Sequence, residues 1–350
     1  EHHQSSEDGM GADYFTAWDK NALGRDLFSH EYNHSWDGKY RRAADLWTPN
    51  FNVPMSDTLL WVYEGQTQFW GQVMASRSGL WNKDQALDMW AFVAATYDKG
   101  RPGLASWRNV QDTTNDPTIA QRAPLPYRNY QSSEDYYSAG QLIWLDVDGK
   151  LRELSGGKKS IDNFAKDFFG MDNGSFVTNT YTFDDVVKTL NAIQPYDWAK
   201  YLRTRLDGHG PLTGGFEAHG WKLVYTDKPS AAVKAIEARR HTANLTYSLG
   251  LSVGKGGQIG DVLWDGPAFK AGLAPSMTVV AVNGRDYDAD ALNDAVAAAA
   301  KDKSQPIELL VKDFDQYKTV RIDYHGGLKY PHLVRDTSKP DTLSTLFQAR

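Results

Sequence analysis

Residues 27–36 read LFSHEYNHSW, and the five at their centre, HEYNH, set His30 and His34 four apart with Glu31 directly after the first. On an α-helix, positions four apart differ by about 40° of rotation and roughly 6 Å of rise, so both imidazoles can face one ion. Glu31 falls on the flank of that stripe, where a carboxylate reaches a water rather than the metal itself. Leu23, Leu27, Phe28 and Trp36 lie near one side of the same stretch. The pattern predicts one helix over residues 19–36, with Asp19 or Asn21 as its N-cap.

A catalytic zinc takes three protein ligands and keeps one position open, so two histidines are one short. The next helical signal, TLLWVYEGQTQFWGQVMASRSGL with Ser56 or Asp57 as cap, carries Glu64 thirty residues beyond His34. Leu59, Leu60, Trp61 and Val62 make that helix apolar, and a buried carboxylate there needs a partner. A metal ion shared with the histidines is one such partner; Arg41 or Arg42 in the intervening loop is the other. Of the 44 acidic residues only nine are Glu, so a glutamate on this helix is an uncommon choice.

Composition narrows the chemistry. The 350 residues carry a net charge of −6 with no basic block, which excludes nucleic acid as a partner. No apolar run is long enough for a transmembrane helix. Cysteine is absent, leaving histidine and carboxylates as the available metal ligands. The opening EHHQSSEDGMGADYF has neither an initiator Met nor a signal-peptide pattern, so a removed upstream segment or a fragment is expected.

Along the chain, helical periodicity dominates from about residue 18 to 206 and short β-rich runs from about 240 onward, with a boundary between 208 and 238. The runs YSLGLSVG, QIGDVLW, MTVVAVNG, IELLVKD and KTVRIDY read as strands, and ADALNDAVAAAAKD as a helix among them.

HEYNHSW, then LLWVYEGQTQFWG, then YYSAG together resemble the PDZ-bearing glycyl aminopeptidase family of zinc metallopeptidases, related to aminopeptidase N. The resemblance covers about residues 1–330. It implies a multidomain α+β chain: a mainly α-helical, thermolysin-like zinc-peptidase domain at 1–207, a connecting segment at 208–237, a β-rich PDZ domain at 238–327 and a tail at 328–350. An N-terminal β-domain would be missing upstream. It also implies one Zn2+ per chain on His30, His34 and Glu64, with Glu31 as general base. Tyr137 falls where the family has an oxyanion-donating tyrosine, although the family's following Lys is replaced by Ala139, which keeps Tyr136 in reserve. Glu1, followed by His2, matches the end of a strand that binds the substrate's amine; an ordinary chain terminus is the alternative.

YSLGLSVG and DGPAFKAGLAPSMTVVAVNGRDY resemble a PDZ domain, with Leu249, Gly250 and Leu251 as the loop that would hold a peptide carboxylate. The groove could take a peptide, be closed by the tail, or serve as a brace. His3, His209, His219, His241, His325 and His332 lack ligand spacing and read as surface or packing residues. The activity implied is removal of Gly or Ala from peptides with a free N-terminus. The alternatives are an endopeptidase with the same centre, or a PDZ peptide-binding module with a non-catalytic metal. Relatives suggest export to the periplasm, with the cytoplasm as the alternative, and the sequence sets no oligomeric state.

Overall fold

Helix α2 (Leu60–Arg77) buries 12 of its 18 residues, among them Trp61, Val62, Phe69, Trp70 and Val73. A helix that is apolar on all sides must run inside the protein. In the computed structural model, which describes residues 5–115 and 126–349, α2 lies between α1 (Asp26–Asn33) and α4 (Ser138–Ser155). Two close approaches set those distances. A Cβ added at Gly65 would lie 2.9 Å from the Cα of Gly140 on α4, and one added at Gly71 would lie 3.0 Å from His30 Cβ on α1. Any larger residue there would push apart the helices that carry the metal-ligand candidates.

Around this trio pack α3 (Lys83–Asp98) and the helices Ile161–Phe169, Phe183–Ile193 and Trp198–Asp207. Their shared core is rich in aromatics, with Trp61, Trp81, Trp90, Trp144 and Trp198 all fully buried. Strand β1 (Arg41–Ala43) pairs in parallel with β2 (Asn179–Tyr181) and ties the loop after α1 to that core. A Gly156–Gly157 pair with φ of 62° and 80° ends α4.

The helix starts differ from expectation. A 3-10 segment (Trp18–Gly24), with Asn21 at non-helical angles, precedes α1, so the regular helix begins at Asp26 and His34 is its C-cap. Arg25 causes the break: its guanidinium reaches back to Trp18 O at 2.5 Å and across to Leu80 O at 2.7 Å. Neither Ser56 nor Asp57 caps α2 through its side chain; Asp45 from the preceding loop takes the Thr58 N–H and hydroxyl at 3.0 and 2.6 Å.

A second core gathers Leu245, Leu249, Leu251, Val253, Val279, Leu309 and the inner face of the helix Ala289–Lys301. It is wrapped by two small sheets. One has the order β4 (Thr242–Leu245), β5 (Leu251–Gly254), β6 (Ile259–Val262). The other runs β10 (Gln316–Arg321), β9 (Glu308–Asp313), β7 (Thr278–Val282), β8 (Arg285–Asp286). The chain then returns to the helical unit. Strand β3 (Trp221–Thr226), from the stretch expected to be a connector, pairs antiparallel with β11 (Tyr330–Arg335), from the stretch expected to be a tail. The closing helix Thr342–Phe347 sinks Leu343, Leu346 and Phe347 into the first core. After Leu328 and Lys329, which still touch the β-rich unit, the tail completes the helical unit. No helix among the described residues is long and apolar enough to cross a membrane.

Candidate metal centre

His30 on α1, His34 at its C-cap and Glu64 on α2 converge. The two Nε2 atoms are 3.1 Å apart, and Glu64 Oε2 is 3.4 Å from each. These are the separations a tetrahedral ion imposes: bonds of about 2.0–2.1 Å set ligand atoms about 3.3 Å apart. Among the described residues this is the one group of His, Asp and Glu side chains placed to share a cation.

The hydrogen bonding also fits an ion. His34 Nδ1 lies 2.9 Å from the carbonyl of Asp37, so Nδ1 carries the proton and the Nε2 lone pair points at the site. That lone pair faces His30 Nε2 and a carboxylate oxygen in a buried setting, with His34 only 2% exposed. Burial pushes the Glu64 carboxyl up, but hydrogen bonds and charge from the two imidazoles, when protonated at Nε2 with no ion bound, outweigh it and hold it at about 2. The Arg pairing considered for Glu64 is not made. Arg41 donates to Asn179 Oδ1 at 2.7 Å and Arg42 to Gly38 O at 3.1 Å.

Tyr137, the residue before α4, completes one wall. Its ring stacks on His30 with centroids 6.1 Å apart. Burial, then the charge of Glu64, raises its pKa far above the usual phenol range, so the O–H stays protonated and available to donate. Tyr136 stacks on Tyr137 at 4.9 Å but is itself sunk in the helical core, so Tyr137 is the tyrosine that faces the site. Glu31 is half-buried on α1, next to His30. Glu1 lies outside the described residues.

Two supporting aspartates escape a sequence reading. Asp37 positions His34 through its backbone carbonyl; its own buried carboxyl, pushed up by burial and by the charge of Glu64, accepts from Thr67 Oγ1 at 3.4 Å. Asp26, one helical turn before His30, is pushed up to about 6 by burial. The only sequence signal for either is its offset from the HEYNH pair, three after the second His and four before the first.

The loop of Leu249, Gly250 and Leu251 has several of its polar groups bonded within the β-rich unit. The N–H groups of Ser248 and Gly250 both donate to Leu245 O at 3.0 Å, and the carbonyls of Leu249 and Gly250 accept from Ala268 and Leu263. Strand β5 is paired with β4 on one side and β6 on the other. Of the remaining histidines, His219 is fully buried, with Nδ1 on Thr342 Oγ1 at 2.7 Å and Nε2 beside Asp148 at 3.4 Å. His209, His325 and His332 bond backbone carbonyls.

The model of the M61 glycyl aminopeptidase family matches residues 24–143, a stretch that contains His30, Glu31, His34, Glu64 and Tyr137. No curated protein is significantly similar to the chain. Among solved structures, the crystal structure of an aminopeptidase N family protein from Idiomarina loihiensis superimposes with a TM-score of 0.66 at 16% sequence identity. The alignment covers 98% of this chain and 56% of that one, so the chain spans little more than half the length of this structural relative. At that identity the likeness establishes the fold: the helical unit and the β-rich unit that follows it are both built as in that protein.

Proposed function

We propose that the chain is a zinc-dependent aminopeptidase that removes small N-terminal residues, glycine or alanine, from peptides. The observation that carries this is the triangle of His30 Nε2, His34 Nε2 and Glu64 Oε2, with sides of 3.1, 3.4 and 3.4 Å, beside the phenol of Tyr137. The M61 match over the same residues supports the peptidase class and the preference for glycine.

His30, His34 and Glu64 would hold a zinc ion through three side chains, the number that a catalytic centre takes from the protein and a structural zinc exceeds. When bound there, zinc supplies a Lewis acid for the scissile carbonyl and makes water more acidic at neutral pH. Glu31 accepts a proton from the attacking water and passes it to the departing amine nitrogen, so the carboxylate ends the cycle as it began. The Tyr137 O–H donates to the carbonyl oxygen as negative charge builds on it. Burial of the ligand cluster keeps competing water away and strengthens each of these interactions. The β-rich unit, in this reading a PDZ-like domain, acts as a brace, since both edges of β5 are already paired.

Purified protein should bind about one zinc per chain and hydrolyse a glycyl anilide, with activity lost on chelation and restored by zinc. Glu31→Gln should keep the metal and lose at least about a hundredfold in kcat. An active Glu31→Gln variant would remove the general base from this scheme. Hydrolysis of a peptide with a blocked amine would turn the assignment to an endopeptidase.

A further inference from the structure

Residues 127–137 lead into α4 and end on Tyr137, and their backbone is under strain. Tyr127, Ser132 and Glu134 have φ of 58°, 53° and 56°, a left-handed region that side chains with a Cβ rarely adopt. Such a segment keeps its shape only where its surroundings over-determine it.

Part of that determination comes from the helical unit. Asp135 accepts from Arg101 Nε and the Tyr97 hydroxyl, each at 2.8 Å, and Arg128 pairs with Glu134 at 2.5 Å. The rest comes from the β-rich unit, through ring contacts of Tyr127 and Tyr130 with Trp264 and Phe269 and, for hydrogen bonds, through Asn129. Asn129 is 1% exposed. Its amide nitrogen donates to Asp261 Oδ1 and to Val262 O, both at 2.9 Å, while its oxygen accepts from Trp264 N at 3.0 Å. The Val262 carbonyl and the Trp264 N–H stand two residues apart at the end of β6, the pair that a neighbouring strand would bond. The carboxamide of Asn129 takes the place of that strand. Beside it, the ring of Tyr130 stacks on Trp264 at 4.3 Å.

We propose that Asn129 is a positioning residue for the reaction: it latches the 127–137 segment to the edge of β6 and so holds the Tyr137 phenol against His30 and Glu64. The β-rich unit then contributes to turnover without touching substrate. The link to turnover rests on the role given to Tyr137 above; the latch itself does not.

The test uses the full zinc-loaded chain with Asn129→Ala and Asp261→Ala, the second change leaving Asn129 and both cores in place. Hydrogen exchange of the amides over residues 127–141 should quicken at least tenfold in both variants, with exchange in α1, α2, β7 and β9 unchanged. On a glycyl anilide, kcat should fall about tenfold, with KM and zinc content as in the parent. In a Tyr137→Phe background, Asn129→Ala should cost less than twofold, because the interaction it serves is already gone. Unchanged exchange in the two variants overturns the latch. An equal fall in kcat in both backgrounds overturns its action through Tyr137. A parent chain inactive on every substrate with a free amine refutes the peptidase reading instead, and the exchange data still decide whether Asn129 holds the segment.

Discussion

The two units treat their buried polar groups in opposite ways. In the helical unit, α1 and α2 bring two imidazole nitrogens and a carboxylate oxygen within 3.4 Å of one another, an arrangement that a cation completes. In the β-rich unit, the Gly250 N–H donates to Leu245 and the carbonyls of Leu249 and Gly250 accept from Ala268 and Leu263 of the same unit. A site for a partner shows itself as polar groups aimed at a common point with too few bonds among themselves. A finished fold shows the reverse.

Zinc titration tests that contrast most strongly. At about a thousandfold excess over its dissociation constant, the ion should stabilise the helical unit by about 4 kcal/mol and leave the β-rich unit's unfolding unchanged. His34→Ala should abolish the shift, a loss beyond the roughly 10–100-fold in affinity that outer-shell changes cost. Equal stabilisation of both units would place the ion elsewhere. Next in size, Gly71→Ala forces a methyl against His30 and should cost about 1–3 kcal/mol in urea unfolding, weakening zinc binding as well.

A smaller effect concerns acid. Burial pushes the His219 imidazole below its ordinary 6.5, against the pull of Asp148. Below that ordinary value the unfolded chain takes up a proton that the folded one refuses, so stability is full above pH 6.5 and falls as pH drops. Between pH 6.5 and 5.5 the difference between the parent and His219→Gln should change by about 1 kcal/mol. A flat difference would mean that His219 takes up its proton in the fold as readily as in the unfolded chain. Smallest is Phe314→Gly. Phe314 turns the β9–β10 hairpin at φ 53° with its ring almost wholly in solvent. Glycine should relieve that turn and raise the midpoint of the β-rich unit by about 0.5–1 kcal/mol.

The convergence of His30, His34 and Glu64 could be read in advance because it rests on local rules. Helical period puts His30 and His34 on one face, and a glutamate in an apolar helix has to be paired with something. Most strands and helices of both units followed from the same periodicities. The residues that sequence could not supply depend on contacts across the chain. Asp45 displaced Ser56 and Asp57 as the polar group at the start of α2 from a loop more than ten residues away. Asn129 looks like any loop asparagine until β6, over 130 residues later, is laid beside it. Strand β4 is four residues of unremarkable TANL whose place is set by its partner. Leu343, Leu346 and Phe347 read as a tail because nothing local says which of two cores they enter.

The β3–β11 ladder gives the molecule an unusual plumbing. The helix Ala231–Arg240 still packs on α3, where its Ala232 N–H donates to Asp88. The chain passes into the β-rich unit only after Arg240 and re-enters the helical unit at Tyr330, across the ladder from Thr226. Held by the β3–β11 ladder and by the contacts of Asn129 and Tyr130 with the end of β6, the β-rich unit cannot swing like a bead on a string, and its orientation is inherited from its host. Trimming the protein after the β-rich unit would strip a strand and three buried apolar side chains from the host, each worth about 1.5–3 kcal/mol. The last twenty or so residues are thus a keystone of the half that brings His30, His34 and Glu64 together.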